Sequence, residues 1–239
     1  MSRRGRRTVD RHGGGGFAAR MICGRIIAAG AGLMLSLAMA QPEPRNLSRA
    51  KTAVIKYHDD GQYFRDIECV AGWAQGWIEQ RAAARTPGER LLVIFDVDET
   101  VLSNFPQMIA TDFGYKHDEW VVWVEQAAAP AIAPMREVYQ TARRLDVAVV
   151  FLTGRRAPEE VEGTVRNLKL QGMGVYEKII FQEASDTAAT AAERKRLRRI
   201  QLEEAGWTII ASLGDQGSDL AGGHAERIFK LPNPFYEVP

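Results

Sequence analysis

The chain predicts an α/β fold, a doubly wound parallel sheet with helices on both faces. Three observations carry the prediction. Strand-length apolar runs recur at 91–95, 147–152 and 208–213, and such unbroken runs suit strands buried on both faces of a parallel sheet. Helical segments separate them, as crossovers between parallel strands require. Polar clusters follow directly after the runs, and open α/β sheets bind ligands beyond the carboxyl ends of their strands.

Residues 41–50 read as a loose polar leader. Tyr63, Ile67, Val70, Ala74, Trp77 and Ile78 recur at three- and four-residue spacing, which predicts an amphipathic helix over 62–84. Thr86-Pro87-Gly88 ends it. Cys69 sits in this pattern and reads as a buried packing residue. After the 91–95 strand, residues 105–133 are irregular and aromatic, with Phe105, Phe113, Tyr115, Trp120 and Trp123. Pro134 opens a helix over 134–145. The 147–152 strand is followed by a helix starting at Pro158, carrying Val161, Val165 and Leu168, and closing near Gly172. Then come a strand at 178–181, a basic helix at 188–205 ended by Gly206, and strands at 208–213 and 227–230. No internal repeat is present.

The 239-residue length suits one sizeable domain, and 46% hydrophobic with 26% charged residues is ordinary for a globular one. Seven arginines against Asp10 give residues 1–40 a net charge of +6; subtracting that from the formal +1 leaves −5 for residues 41–239. A mildly acidic body argues against a nucleic-acid polymer or an anionic membrane as partner. The basic start, an apolar run over 26–40 and Ala38-Met39-Ala40 before Gln41-Pro42 read as a signal peptide. The run is short for a membrane span, so no stable span is expected once it is removed, and the protein is expected in the periplasm or secreted. An uncleaved anchor, a start at Met21 and a twin-arginine route through Arg6-Arg7 stay open. With Cys23 in this segment, Cys69 would have no intramolecular partner. The sequence does not give the oligomeric state, and a homo-oligomer is compatible with it.

Three strand ends carry candidate chemistry. Asp96 and Asp98 follow the first strand in Asp96-Val-Asp-Glu-Thr100. Two apart in extended chain, their side chains point the same way, and two like charges there call for a cation or a shared proton. Alone the string also reads as a polar turn. Thr153-Gly154-Arg155 follows the second strand, where a hydroxyl and main-chain N–H groups before a helix suit a phosphoryl oxygen or a simple helix cap. Gly214-Asp215-Gln-Gly-Ser-Asp219 follows the fourth; spaced by four, the two aspartates share a face of a helical turn, again with capping as the plain alternative.

In combination these strings resemble the haloacid dehalogenase (HAD) superfamily, and within it the acid phosphatases with four signature aspartates, nearest the plant-type and class C pattern. The resemblance rests on Val93-Ile-Phe-Asp-Val-Asp-Glu-Thr-Val-Leu-Ser-Asn104, Phe151-Leu-Thr-Gly-Arg155, Leu213-Gly-Asp-Gln-Gly-Ser-Asp-Leu220, Phe229-Lys-Leu-Pro-Asn-Pro-Phe-Tyr236 and the leading Tyr57–Tyr63 segment. It departs at Gly217, where the group usually has Trp. It implies a HAD-like sheet with a small, mainly helical cap at 105–133, and an Mg²⁺-dependent hydrolysis of a small phosphomonoester, of broad specificity or favouring 5′-nucleotides. A storage or binding protein on the same fold is the rival reading. By the resemblance Asp96 is nucleophile, Asp98 acid–base, and Asp96, Asp98 through its carbonyl, Asp215 and Asp219 are metal ligands. Thr153, Gly154 and a lysine hold phosphate. Of Lys169, Lys178 and Lys195, only Lys195 matches the family spacing to Arg199, Leu202 and Gly206-Trp207. Phe113, Tyr115, Trp120, Trp123 and Tyr236 are candidates for substrate choice.

Overall fold

The computed structural model describes residues 43–238; the expected signal segment at 1–40 lies outside them. Five parallel strands, β1 (Arg90–Phe95), β2 (Ala148–Arg156), β3 (Lys178–Gln182), β4 (Trp207–Gly214) and β5 (Arg227–Lys230), form one sheet in the order β3-β2-β1-β4-β5. Register sets Phe95 beside Phe151 on one side and Leu213 on the other. β1 and β4 thereby end nearly level, while β2 runs on past them to Arg156, so the residues after β1 and β4 meet the last residues of β2.

Side chains of β1 alternate between two cores, which is why its run is apolar throughout. Leu91, Val93 and Phe95 pack with α2 (Gln62–Ala83) and α5 (Ala133–Arg144) through Tyr63, Ile67, Ile78, Met135 and Val138. Leu92 and Ile94 face Leu202 of α7 (Ala191–Glu204) and Ile209. The remaining helices are α1 (Leu47–Asp59), α3 (Phe105–Ala110), α4 (His117–Gln126) and α6 (Val161–Leu170). Among the described residues, no helix is long and apolar enough to cross a membrane.

Four local expectations are corrected. Part of the expected leader is helix α1, capped by the Asn46 side chain, which accepts from the Arg49 N–H at 3.1 Å. Its Val54, Ile55 and Tyr57 are only half-buried, so the stripe that marks it is faint. Cys69 is exposed, because it lies two residues, about 200° around the helix, from buried Ile67. The helix expected at Pro158 begins at Val161: β2 runs on to Arg156, and the Ala157 N–H donates to the Gln182 carbonyl at 2.9 Å, so Pro158 opens a turn. The basic helix starts at Ala191, not 188, with Thr190 accepting from the Glu193 N–H at 3.1 Å.

Candidate active site

Asp96 is the first residue after β1, its N–H donating to the Leu213 carbonyl at 2.9 Å. That bond hands the side chain to the point where β1 and β4 diverge toward α7. From α7, Lys195 reaches both Asp96 Oδ1, at 2.6 Å, and Asp219 Oδ1, at 2.5 Å. Asp219 closes the short helical turn Gly217–Asp219 after β4, its Oδ2 accepting from the Gln216 N–H at 2.8 Å. Gly214 is required here, since any Cβ would overlap the Asp219 carboxylate. Asp215 accepts from Gln216 Nε2 at 2.5 Å, Asn233 Nδ2 at 2.7 Å and Thr100 Oγ1 at 3.2 Å.

Asp96, Asp215 and Asp219 are buried, and one carboxylate oxygen from each lies within 4.8 Å of the others. Three ionised carboxylates around one ammonium would leave an excess of two negative charges among buried groups. Burial, then the neighbouring Asp219 and Asp215 against the pull of Lys195, pushes the Asp96 carboxyl well above its ordinary value. Burial and Asp219 also raise Asp215. For Lys195, burial alone would lower the ammonium, but Asp96 and Asp219 outweigh it and hold it above the usual lysine range. An all-oxygen donor set with that charge excess fits a hard divalent cation.

Asp98 is not in this trio. Its carboxylate stands outside that group although it borders the same cavity and is close enough to Asp96 to raise its carboxyl. The Asp98 carboxylate accepts a fork from Arg155, at 3.1 Å from Nε and 2.7 Å from Nη2, and a bond from Asn104 Nδ2 at 2.8 Å. It lines the same 620 Å³ cavity as Asp96, Lys195 and Gly154. Thr153 is fully buried within β2, its Oγ1 accepting from the Arg155 N–H at 3.1 Å. It is absent from the cavity wall, to which Gly154 belongs.

Phe113, Tyr115, Trp120 and Tyr236 also border the cavity. Trp123 does not: its ring packs on the core and its Nε1 donates to Asn104 Oδ1 at 2.8 Å. Its place in the site is to orient the amide that holds Asp98. Arg155, Asn104 and Asn233 all stand in the strings that carry the resemblance, yet none was singled out; no spacing rule says which residue a long side chain will meet. Glu99 was passed over too. Fully buried, it accepts from Asn104 Nδ2 at 3.0 Å and Tyr236 Oη at 3.1 Å, and burial lifts its carboxyl to about 8.

The model of the HAD superfamily, subfamily IIIB (Acid phosphatase), matches residues 31–239. Acid phosphatase 1 of Solanum lycopersicum is 39% identical over 149 residues, 61% of this chain and 58% of that protein. The stem 28 kDa glycoprotein of Glycine max is 35% identical over 61% of this chain and 59% of its own length. Vegetative storage protein 1 of Arabidopsis thaliana is 28% identical, over 61% and 55%. The matches thus span less than two thirds of these curated relatives. The class C acid phosphatase from Bacillus anthracis shares the fold, with a TM-score of 0.67 at 20% identity over 80% of this chain and 86% of that one. With the family model covering all of the described residues, the chain belongs to the HAD superfamily, subfamily IIIB, the acid phosphatases.

Proposed function

We propose that the protein is an exported acid phosphatase that hydrolyses small phosphate monoesters through an aspartyl-phosphate on Asp96. The supporting observation is the buried array of Asp96, Lys195 and Asp219 beside Asp215, open to a 620 Å³ cavity at the strand ends. An Asp96 oxygen attacks phosphorus in line as the ester P–O bond breaks, and the leaving oxygen takes a proton from Asp98. Water then attacks the phosphorus of the aspartyl-phosphate and gives its proton back to Asp98, freeing orthophosphate and Asp96. To serve as acid, Asp98 must turn from the Arg155 fork toward the leaving oxygen. Lys195 and the Gly154 main chain hold phosphoryl oxygens; the Thr153 hydroxyl joins them only if it turns outward from its bond to Arg155.

Asp96, Asp215 and Asp219, with the Asp98 main-chain carbonyl, would hold Mg²⁺, whose charge offsets the repulsion between a carboxylate and a phosphate dianion. Residues 105–133 serve as cap, and Phe113, Tyr115, Trp120 and Tyr236 suit a flat leaving group such as a nucleoside, which rings can stack upon. Residues 1–40 act as the export signal and 41–239 as the working domain, in the periplasm or outside the cell. Likeness to a vegetative storage protein favours the rival storage reading, which has no use for Asp96.

Assay of p-nitrophenyl phosphate from about pH 4 to about pH 8 separates the two. Turnover that EDTA removes and Mg²⁺ restores, and that Asp96→Asn abolishes, is expected. Turnover absent at every pH with Mg²⁺ present would leave the storage reading.

A further inference from the structure

A second group of metal-ligating side chains lies at the cavity rim, apart from the aspartates. His117 is the first residue of α4, while Glu159 and Glu160 belong to the turn between β2 and α6. One ligand atom from each lies within 4.8 Å of the others, with His117 Nε2 3.4 Å from Glu159 Oε1. Glu160 is 2% exposed, yet its Oε2 has no hydrogen-bond partner among the described residues. Burial raises the Glu160 carboxyl against the opposing Trp120 side chain and Arg156 main chain, and an acceptor left unpaired in such a place is unfavourable, so Oε2 calls for a partner. Of the two arginines nearby, Arg155 spends Nε and Nη2 on Asp98 and Nη1 on Thr164 Oγ1, at 2.9 Å, and Arg156 is exposed to solvent.

We propose that His117, Glu159 and Glu160 form a second metal site, for a zinc-class cation, that ties α4 to the turn after β2. One imidazole and two carboxylates are a nitrogen–oxygen set that suits zinc, whereas Mg²⁺ favours oxygen alone. His117 Nδ1 lies 3.3 Å from Tyr115 Oη, and a ligating histidine uses its other ring nitrogen in this way to fix its orientation. His117 and Glu159 are 38% and 42% exposed at the side chain, which leaves an entry path to the buried Glu160. Tyr115, Trp120 and Glu160 all line the cavity, so the bound cation braces the aromatic rim against the sheet. The proposal does not depend on the hydrolytic reading.

Calorimetric titration of Zn²⁺ into the full chain, with Mg²⁺ kept saturating, tests it. One zinc ion is expected to bind. His117→Ala and Glu160→Gln should each weaken binding by about tenfold or more, while Asp215→Asn should retain it. No uptake, uptake indifferent to His117→Ala, or uptake lost in Asp215→Asn would overturn the proposal. His117 is half exposed, so its variant stays informative even if Glu160→Gln fails to fold; unfolding midpoints without zinc identify that case.

Discussion

At the scale of single residues, the site works by unequal solvation. Lys195 is 4% exposed and is shared by two carboxylates from different strand ends. Removing it leaves those carboxylates facing each other without a counter-charge in a buried site. Lys195→Ala is expected to cut kcat by about a hundredfold or more, whereas Lys169→Ala and Lys178→Ala should leave it near the wild-type value. Steady-state kinetics on the three variants checks this, and equal losses would remove the special role of Lys195. Lys195 was legible in the sequence only through family spacing, because four arginines surround it on the same helix and charge alone could not single it out. Arg199, a turn later, is fully buried and donates to the carbonyls of Asp219, Ala221 and Gly223. It holds the loop that carries Asp219.

At the scale of elements, cap helix α4 and helix α6 are joined by close backbone approach. Gly163 of α6 lies against the end of α4, where a Cβ would overlap the Val124 carbonyl. Gly163→Ala should therefore push α4 outward, costing about 1–3 kcal/mol of stability. Because Tyr115 and Trp120 lie at or before the start of that helix and line the cavity, KM should rise more than kcat falls. Thermal unfolding with kinetics on the same variant checks both. This approach was not legible beforehand: a glycine inside an apolar helical pattern says that something comes close, not what. The helix boundaries near Pro158 and after Asn46 were missed for similar reasons, since sheet pairing prolonged β2 and a helix with no fully buried residue writes only a faint apolar stripe.

For the whole molecule, a carboxyl raised by burial and one lowered by an arginine set opposite pH slopes. Burial raises Glu99 from 4.5 to about 8. Between those values the folded state keeps a proton that the unfolded chain has lost, so the contribution to stability is complete below about 4.5 and is lost as pH rises through 8. Glu89, held by Arg81, is lowered to about 2, so its contribution is present above 4.5 and lost as pH falls toward 2. In EDTA, the unfolding midpoint should fall from mildly acidic to mildly alkaline pH, and Glu99→Gln should flatten that fall. An unchanged slope in the variant would show that Glu99 is not the group responsible.

By itself the sequence determined the parallel sheet, its central strands and the strand ends that bear Asp96, Asp215 and Asp219, while β2 runs on through Thr153 to Arg156. Those features are written in contiguous apolar runs and in residues adjacent along the chain. Only the tertiary structure decided that Asp98 rests on Arg155, that Trp123 supports Asn104 and not the cavity, and that His117 meets Glu159 and Glu160. Each of these pairings joins separate segments through long side chains, and their meeting depends on strand register and helix placement, which no local pattern encodes.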